Sequence, residues 1–215
     1  TAPLTKQYPI IPPIQKNSVK CVWVGRLEGF KIPILLHTLK RLNKISSMSF
    51  DFDIIGTGAE EQSVREVISA LNNLTVTFCG DVLFSEIEST LARYHILFAM
   101  GTSALEGAKI GLPTFCVDYS YQPIAGLYRY RLLRECVGFN VAEKIESIHL
   151  EETCTLEEKI CNILDNFEKE SHLVKDYWQK NHSPEAVVKK FSQVANGAKL
   201  TFYDVFKSKL HKMDW

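Results

Sequence analysis

Residues 19–25 read VKCVWVG, an apolar and β-branched run that stops at a glycine. This pattern is typical of a buried β-strand. The next apolar residues, between Ile34 and Leu42, recur at helical spacing. Further short apolar runs begin at Phe50, Leu74, Ile96 and Pro113. Regular alternation of short apolar strands with helices predicts a doubly wound parallel sheet with helices on both faces, a Rossmann-like α/β fold.

The remaining segments are predicted from the same spacing rule. The helix after the third strand is expected to bury one stripe, formed by Phe84, Ile87, Leu91 and Tyr94. The aromatic and basic residues 128–134 are expected to lead from a loop into a helix that packs its rings; binding of an acceptor or a lipid headgroup is the alternative. Residues 139–141 are expected to form a short last strand. Amphipathic helices are expected at 156–167, 187–194 and 202–210.

Charge and hydropathy exclude several classes of protein. The 215 residues carry 25 Lys and Arg against 25 Asp and Glu, so the chain has no global field to hold a polyanion, and nucleic acid is not expected as a partner. No run of about 18 apolar residues could span a bilayer. The N-terminus also lacks the basic-then-apolar pattern of a signal peptide. We therefore expect a cytoplasmic protein without a transmembrane segment.

The cysteines give no sign of a metal site. None of the six stands in a CxxC pair, so zinc is not expected. Cys21, Cys79 and Cys116 lie inside apolar strand runs, where a thiol behaves as a small buried hydrophobe. Reduced cysteines in the core of a cytosolic protein are therefore expected.

The loop after the first strand offers two cations. Ligands of open α/β sheets bind at the carboxyl ends of the strands, near the point where strand order reverses. Here the loop reads GRLEGFK from Gly25 to Lys31. Arg26 can engage two phosphate oxygens at once, and Lys31 supplies a mobile point charge, so the loop suits a diphosphate. The alternative is a pair of solvated surface cations.

The loop after the second strand begins like a dinucleotide-binding fingerprint. It reads GTGAEE from Gly56 to Glu61, so an acidic residue replaces the third glycine. The fingerprint also belongs to the first strand rather than the second. An NAD site is therefore not expected, and the glycines are interpreted as making a tight turn from strand to helix.

The loop after the fourth strand runs directly into a helix. Thr102 or Ser103 is expected to cap that helix, whose free N–H groups and dipole form an anion site. Glu106 lies about one turn further on. Its carboxylate could accept hydrogen bonds from a ribose, or it could form the last position of a capping box with Ser103.

Several of these motifs together resemble a known family. The motifs are Gly25-Arg26-Leu27 with Lys31, Gly56-x-Gly58-x-Glu60, Val76-x-Phe78-x-Gly80, and GTSALEGA at 101–108 followed by Gly111-Leu112-Pro113. Over roughly residues 19–120, their order and spacing are similar to the C-terminal, donor-binding half of GT-B glycosyltransferases, in particular the group 1 enzymes of glycosyltransferase family 4.

The resemblance implies a role for each site residue. Arg26 and Lys31 would hold the diphosphate of a UDP- or GDP-sugar and stabilise charge on it as it leaves, making them electrostatic catalysts. The donor site would also include Gly25 and the backbone of Gly101, Thr102 and Ser103. Glu106 would bind the ribose. Asp81 and Val82 would flank the nucleobase.

The resemblance implies that a sugar is transferred, with retention of configuration, to a glycan or lipid-linked acceptor. The implied pathway is surface polysaccharide or glycoconjugate synthesis, and no metal or other cofactor is expected.

One departure from the family pattern is Phe98, which stands where many members carry the first Glu of a Glu-x7-Glu pair. The short Gly-Thr-Ser segment is also similar to UDP-N-acetylglucosamine 2-epimerases. The alternatives are thus half of such an epimerase, or a non-catalytic nucleotide-sugar-binding module that works with a partner chain.

The same resemblance divides the chain. Residues 1–17, which contain four prolines, would be an interdomain connector. Residues 18–182 would form the nucleotide-sugar-binding domain, and 183–215 would be helices that pack on an N-terminal Rossmann-like half. Without that half, an apolar helical stripe would be exposed. The chain alone is expected to be an inactive fragment, whose missing half could hold it at the inner face of the membrane.

Overall fold

A computed structural model describes residues 18–146 and 154–197. Its six strands are β1 (Ser18–Val24), β2 (Ser49–Ile55), β3 (Leu74–Gly80), β4 (Ile96–Ala99), β5 (Thr114–Cys116) and β6 (Arg131–Leu132). They form one sheet in the order β3-β2-β1-β4-β5-β6. The first five strands are parallel and β6 is antiparallel to β5. The doubly wound Rossmann-like sheet is confirmed. The predicted connector and the helix at 202–210 lie outside the described residues.

Helices cover both faces of the sheet. They are α1 (Ile32–Asn43), α2 (Glu61–Ile68), α3 (Ile87–Leu91), α4 (Thr102–Ile110), α5 (Leu156–Asp165), α6 (Phe167–Asn181) and α7 (Pro184–Gly197). On one face α1, α2 and α5 pack on alternate residues of β1, including Cys21 and Trp23. On the other face α3, α4 and α6 pack on the intervening residues, such as Val22. Each face buries its own apolar cluster, as expected for a sheet between two helical layers.

The strand order reverses at β1. The chain first adds β2 and β3 on one side of β1 and then crosses to add β4 on the other side. Val24 at the end of β1 is therefore the register partner of Ala99 at the end of β4. The loops that follow these two residues diverge to opposite faces and leave a crevice between them, which is where such folds bind ligands.

One predicted helix starts later than expected, and another does not form. The helix after β3 is present as α3, and Ile87, Leu91 and Tyr94 of its predicted stripe are buried. A single turn of 3₁₀ helix replaces its expected start and leaves Phe84 79% exposed. Residues 128–134 are extended as far as β6 and end in a 3₁₀ turn. From Tyr128 through Tyr130 to Leu132, every second side chain is buried, which is the period of a strand and not of a helix; Leu133, which begins the 3₁₀ turn, is buried as well.

Two further segments differ from the prediction. Residues 139–141 form no strand, and Phe139 is exposed. The predicted helix at 156–167 ends at Asp165, and a separate 15-residue helix, α6, follows it. The prediction missed α6 because it buries only Glu170 and Val174, and such a polar helix carries almost no apolar period.

The cysteine prediction holds for two of three strand residues. Cys21 and Cys116 are buried, whereas Cys79 is exposed. The reason is its place on β3, an edge strand whose alternate residues face away from the core. No group of three or more His, Cys, Asp or Glu side chains in the described residues could hold a metal ion. No helix within those residues is long and apolar enough to cross a membrane.

Within residues 18–146 and 154–197, nothing covers the apolar side of helix α7. It buries no residue in the described part of the chain. Its exposed apolar side chains are Val187, Val188, Phe191 and Val194. These four residues are called the α7 stripe below.

Candidate functional site

The candidate site is the crevice at the carboxyl ends of β1 and β4. Gly25 directly follows β1, and Met100 directly follows β4, so the register of the two strands places both loops side by side. The cations Arg26 and Lys31 lie in the first loop, and the second loop leads into the first turn of α4. The structure therefore brings the predicted diphosphate loop and the predicted anion-binding helix start to the same edge of the sheet.

Hydrogen bonds to the turn after β2 hold the loop after β1 in place. The N–H of Gly25 donates to the carbonyl of Ile55 at 3.0 Å, and the N–H of Leu27 donates to that of Thr57 at 2.9 Å. The side chain of Leu27 is completely buried. The backbone on either side of Arg26 is thus fixed, while the guanidinium itself stays at the surface.

The glycines after β2 allow this close contact between the two loops. A Cβ at Gly56 would lie 2.4 Å from the carbonyl oxygen of Gly25, and one at Gly58 would lie 2.2 Å from that of Leu27. Both distances are far below van der Waals contact, so neither position tolerates a side chain. The dinucleotide-like pattern thus serves packing beneath the loop after β1, which is a more specific role than the predicted tight turn.

The two cations of this loop have different surroundings. Arg26 is exposed, and its Nη1 pairs with Oε1 of Glu28 at 2.9 Å. Lys31 is half-buried at the N-cap of α1, where a Cβ on Gly25 would meet its Nζ at 3.5 Å. Burial lowers the pKa of Lys31, and repulsion from Arg26 lowers it further, although Glu28 opposes the shift. An anion bound between these cations would relieve both the burial cost and the repulsion.

The start of α4 differs from the prediction. The N-cap is Gly101, at φ 65°, and no side chain of Thr102 or Ser103 caps the helix. The N–H of Gly101 donates to the carbonyl of Val141 at 2.8 Å, so it cannot also bind a phosphate. Thr102 and Ser103 stand at the first two helical positions, whose N–H groups have no partner within a helix. Those two groups and the helix dipole are the features that could bind an anion here.

Glu106 is not part of a capping box, because α4 has no side-chain cap. Its Oε2 is buried and has no hydrogen-bond partner within residues 18–146 and 154–197. The neighbouring Lys109 instead pairs with Glu88. Burial raises the pKa of Glu106; Lys109 opposes the shift and Glu88 adds to it. A half-buried carboxylate with an unused oxygen is suited to accept hydrogen bonds from the hydroxyl groups of a ligand.

The remaining predicted residues lie further away in the sheet. Asp81 and Val82 follow β3, which is separated from β1 by β2. The Asp81 carboxylate accepts a hydrogen bond of 3.0 Å from the hydroxyl of Thr57, and Val82 packs in the cluster under α3 and α4. Phe98 is buried in the core and stacks on Phe115, with ring centroids 4.9 Å apart, so it lies outside the crevice.

A buried ion pair beside the crevice was not predicted from the sequence. Asp118, two residues after β5, has no exposed surface, and its Oδ1 accepts from Nη2 of Arg131 at 2.7 Å. Its Oδ2 accepts from the hydroxyl of Tyr128 at 2.8 Å. The N–H of Glu143 also donates to Oδ1, at 2.8 Å. Because all three partners come from later segments, the pairing has no local signature; an Asp after a strand and the basic stretch at 128–134 were its only signals.

This ion pair helps to hold residues 141–145 over the edge of the sheet. Besides the bond from Gly101 to Val141, the N–H of Tyr119 donates to the carbonyl of Glu143 at 2.9 Å, and that of Ile145 donates to the carbonyl of Tyr119 at 2.8 Å. Residues 141–145, of which only Val141 belonged to the predicted strand, thus close the β4–β5 side of the crevice with irregular backbone.

Comparison with known proteins shows which solved structures share this fold. No protein-family model matches the chain, and no curated protein matches its sequence significantly. Among solved structures, the lipopolysaccharide outer core galactosyltransferase WaaB in its apo form is 13% identical, with a TM-score of 0.54 over 89% of this chain. A point mutant of TarM from S. aureus, solved with fondaparinux, α-GlcNAc-glycerol and UDP, is 15% identical, with a TM-score of 0.50 over 84% of this chain.

The likeness extends over only part of these proteins. It covers 53% of the WaaB chain and 36% of the TarM chain. At such low identity the likeness concerns the architecture alone. The chain has the fold of the GT-B glycosyltransferases.

Proposed function

We propose that this chain is the donor-binding half of a retaining glycosyltransferase that uses a UDP- or GDP-sugar. The observation that carries the proposal is Glu106, whose buried Oε2 lacks a partner in the described residues. It lies one turn into α4, whose first turn is at the same edge of the sheet as the loop after β1. A carboxylate one turn from a bound anion is unfavourable unless the ligand also carries hydroxyl donors. A nucleoside diphosphate has both groups.

In the proposed complex, the diphosphate lies between Lys31 and the first turn of α4. The N–H groups of Thr102 and Ser103 donate to its oxygens, and the helix dipole adds to their effect. Arg26 exchanges the Glu28 carboxylate for a phosphate, which is feasible because that ion pair is exposed. The ribose hydroxyls donate to Glu106, and the loop containing Asp81 and Val82 flanks the base.

The proposed reaction transfers the sugar to a hydroxyl of a glycan or lipid-linked acceptor with retention of configuration. The bond between the anomeric carbon and the diphosphate oxygen breaks, and negative charge grows on the leaving group. Arg26 and Lys31 stabilise this charge electrostatically, and no metal ion is needed for it. Phe98 is buried, so contacts to the donor sugar come from other residues.

A second domain is part of the proposal. The chain corresponds to about half of WaaB and about a third of TarM, and the α7 stripe is available to pack on another structure. We propose that an N-terminal Rossmann-like half covers it and completes the acceptor site, and that the 215-residue chain alone transfers no sugar. The proposed protein acts in the cytoplasm, where the N-terminal half attaches it to the inner face of a membrane. Its proposed role is in polysaccharide or glycoconjugate synthesis.

Calorimetric titration with UDP and GDP tests the donor site. The chain is expected to bind one of them weakly. Arg26→Ala, Lys31→Ala and Glu106→Ala are each expected to weaken binding about 10- to 100-fold, because each removes a charge-assisted hydrogen bond worth about 1.5–3 kcal/mol.

Arg93→Ala is the matched control for these variants. Arg93 is an exposed arginine before the amino end of β4, at the opposite edge of the sheet. Its removal is expected to leave the affinity unchanged. Absence of binding by both nucleotides, or an equal loss in Arg93→Ala, contradicts the proposed site.

The pH dependence of UDP binding tests Lys31. Because burial lowers its pKa from 10.5, Lys31 in the unliganded chain loses its proton at a lower pH than an ordinary lysine. UDP affinity is therefore expected to fall as the pH rises towards 10.5. In the Lys31→Arg variant the side chain keeps its charge over this pH range, so UDP affinity is expected to depend less on pH. Both proteins are measured with UDP, so that titration of the uracil base affects the two profiles equally. Identical profiles for the two proteins would show that Lys31 does not contact the diphosphate.

A further inference from the structure

A second cavity lies next to the loop after β1, on the face of the sheet covered by α1. Its volume is about 350 Å³. Its walls are α1, the turn after β2 and the loop at 119–127. Its lining residues include Gly29, Ile32, Leu36, Lys40, Glu60 and Ile124. This size is within the range of small-molecule sites.

His37 holds the outer wall of this cavity in position. Its Nε2 lies 3.0 Å from the carbonyl oxygen of Gly126, and its Nδ1 lies 2.9 Å from the hydroxyl of Tyr130. A carbonyl only accepts, so Nε2 carries the proton and donates it to Gly126. Burial lowers the pKa of His37, which favours the neutral ring. The loop at 119–127 is therefore fastened to α1 without a ligand, and the cavity is preformed.

The cavity is apolar along its length and charged at its ends. Ile32, Pro33, Leu36 and Ile124 form the apolar part. From Ile32 to Lys40 the helix rises about 12 Å. Glu60 lies at the end of the cavity that is near the carboxyl edge of the sheet, and Lys40 lies at the opposite end of the cavity. An elongated apolar group fits this shape, whereas a bare sugar would leave most of its hydroxyls without partners.

The position of the cavity relates it to the donor site. Gly29 lines it and also lies between Arg26 and Lys31 in the same loop. A ligand whose apolar part occupies the cavity can therefore extend its polar end past Glu60 towards the crevice between β1 and β4. The two sites share one wall.

We propose that this cavity binds the apolar part of the acceptor, an alkyl chain or aryl group attached to the hydroxyl-bearing portion that receives the sugar. The inference rests on the proposed function and makes it more specific: the acceptor is an amphipathic glycoside or lipid rather than a free sugar. Glu60 lies where it can accept hydrogen bonds from the polar part, and its Oε2 already accepts one, at 3.1 Å, from Ser63.

The test uses the isotope-labelled 215-residue chain and two probes followed by NMR. The probes are n-octyl β-D-glucopyranoside, kept below its micelle-forming concentration, and glucose, which lacks the alkyl chain. Octyl glucoside is expected to shift the amide signals of Gly29, Leu36 and Ile124, and glucose to leave them unchanged. Shifts confined to Val188 and Phe191 of the α7 stripe, or equal shifts with glucose, overturn the proposal.

Two variants locate the site. Ile124→Trp fills the cavity and is expected to weaken octyl glucoside binding at least about tenfold, because the apolar volume is no longer available. Leu127→Trp is the matched control in the same loop, where Leu127 is exposed and does not line the cavity. It is expected to bind as the unchanged chain does. If Ile124→Trp fails to fold, Leu36→Gln makes the cavity polar from the side of α1, and the same loss is expected.

A UDP titration of the same samples separates the two proposals. UDP binding without octyl glucoside binding overturns the acceptor cavity alone. Octyl glucoside binding at the cavity without UDP or GDP binding overturns the donor site, and with it the assignment of the apolar ligand as an acceptor. Equal losses of octyl glucoside affinity in Leu127→Trp and Ile124→Trp also overturn the cavity as the binding site.

Discussion

Asp118→Ala is expected to lower the free energy of unfolding by about 3–5 kcal/mol, because it leaves a charge without its buried partner. Arg131 is only 12% exposed and pairs with Asp118 at 2.7 Å. Its Nε is already buried without a partner in the described residues. The substitution also removes the acceptor of the Tyr128 hydroxyl and of the Glu143 N–H, which both donate to Asp118. Urea denaturation followed by circular dichroism measures the loss.

A double variant separates the ion pair from the loss of packing. Asp118→Ala combined with Arg131→Met removes both charges and is expected to recover part of the lost stability. Lys180→Ala is the control, since its partner Asp176 is 60% exposed and the pair lies on the surface of α6. Its effect is expected to stay below about 1 kcal/mol. A similarly small effect of Asp118→Ala would show that Arg131 is adequately solvated.

Gly58→Ala is expected to destabilise the fold by about 3 kcal/mol and to displace the loop after β1. The added Cβ would lie 2.2 Å from the carbonyl oxygen and 2.6 Å from the carbonyl carbon of Leu27. Backbone cannot move away as the end of a flexible side chain can, so two loops must separate or the turn must distort. UDP affinity is expected to fall as well, since Arg26 is adjacent to Leu27. Urea denaturation and UDP calorimetry measure the two effects.

Gly29→Ala is the matched control for this prediction. Gly29 belongs to the loop after β1, and a Cβ there would meet no atom within 4 Å. The substitution is expected to leave the free energy of unfolding within about 0.5 kcal/mol of its original value. Equal stability of Gly58→Ala and Gly29→Ala would mean that the two loops are not in rigid contact.

The parallel sheet could be predicted from the sequence because its strands are short, apolar and separated by helical spacing. The predictions of secondary structure failed where the periodicity of apolar residues was weak, or where it was assigned to a helix instead of a strand. Tyr128, Tyr130 and Leu132 alternate as in a strand, although the surrounding charges suggested an amphipathic helix. Helix α6 buries few apolar residues and so left little pattern to recognise.

The candidate site was predictable in its parts. Arg26, Lys31, Gly101 and Glu106 follow strands whose carboxyl ends must lie at one edge of a parallel sheet. Their individual states were not predictable from the sequence. The pairing of Arg26 with Glu28, the burial of Lys31 and the use of the Gly101 N–H by Val141 all depend on contacts in three dimensions.

Apolar periodicity and glycine positions are local properties, and they were enough to predict the doubly wound fold and the loops that carry the candidate donor residues. Three features are visible only in the folded chain: Gly56 and Gly58 serve backbone packing, Glu106 keeps an unpartnered oxygen among the described residues, and an apolar cavity shares a wall with the loop after β1. The physical reason is that close approach, burial and hydrogen-bond partners depend on segments distant in the sequence, which only folding brings into contact.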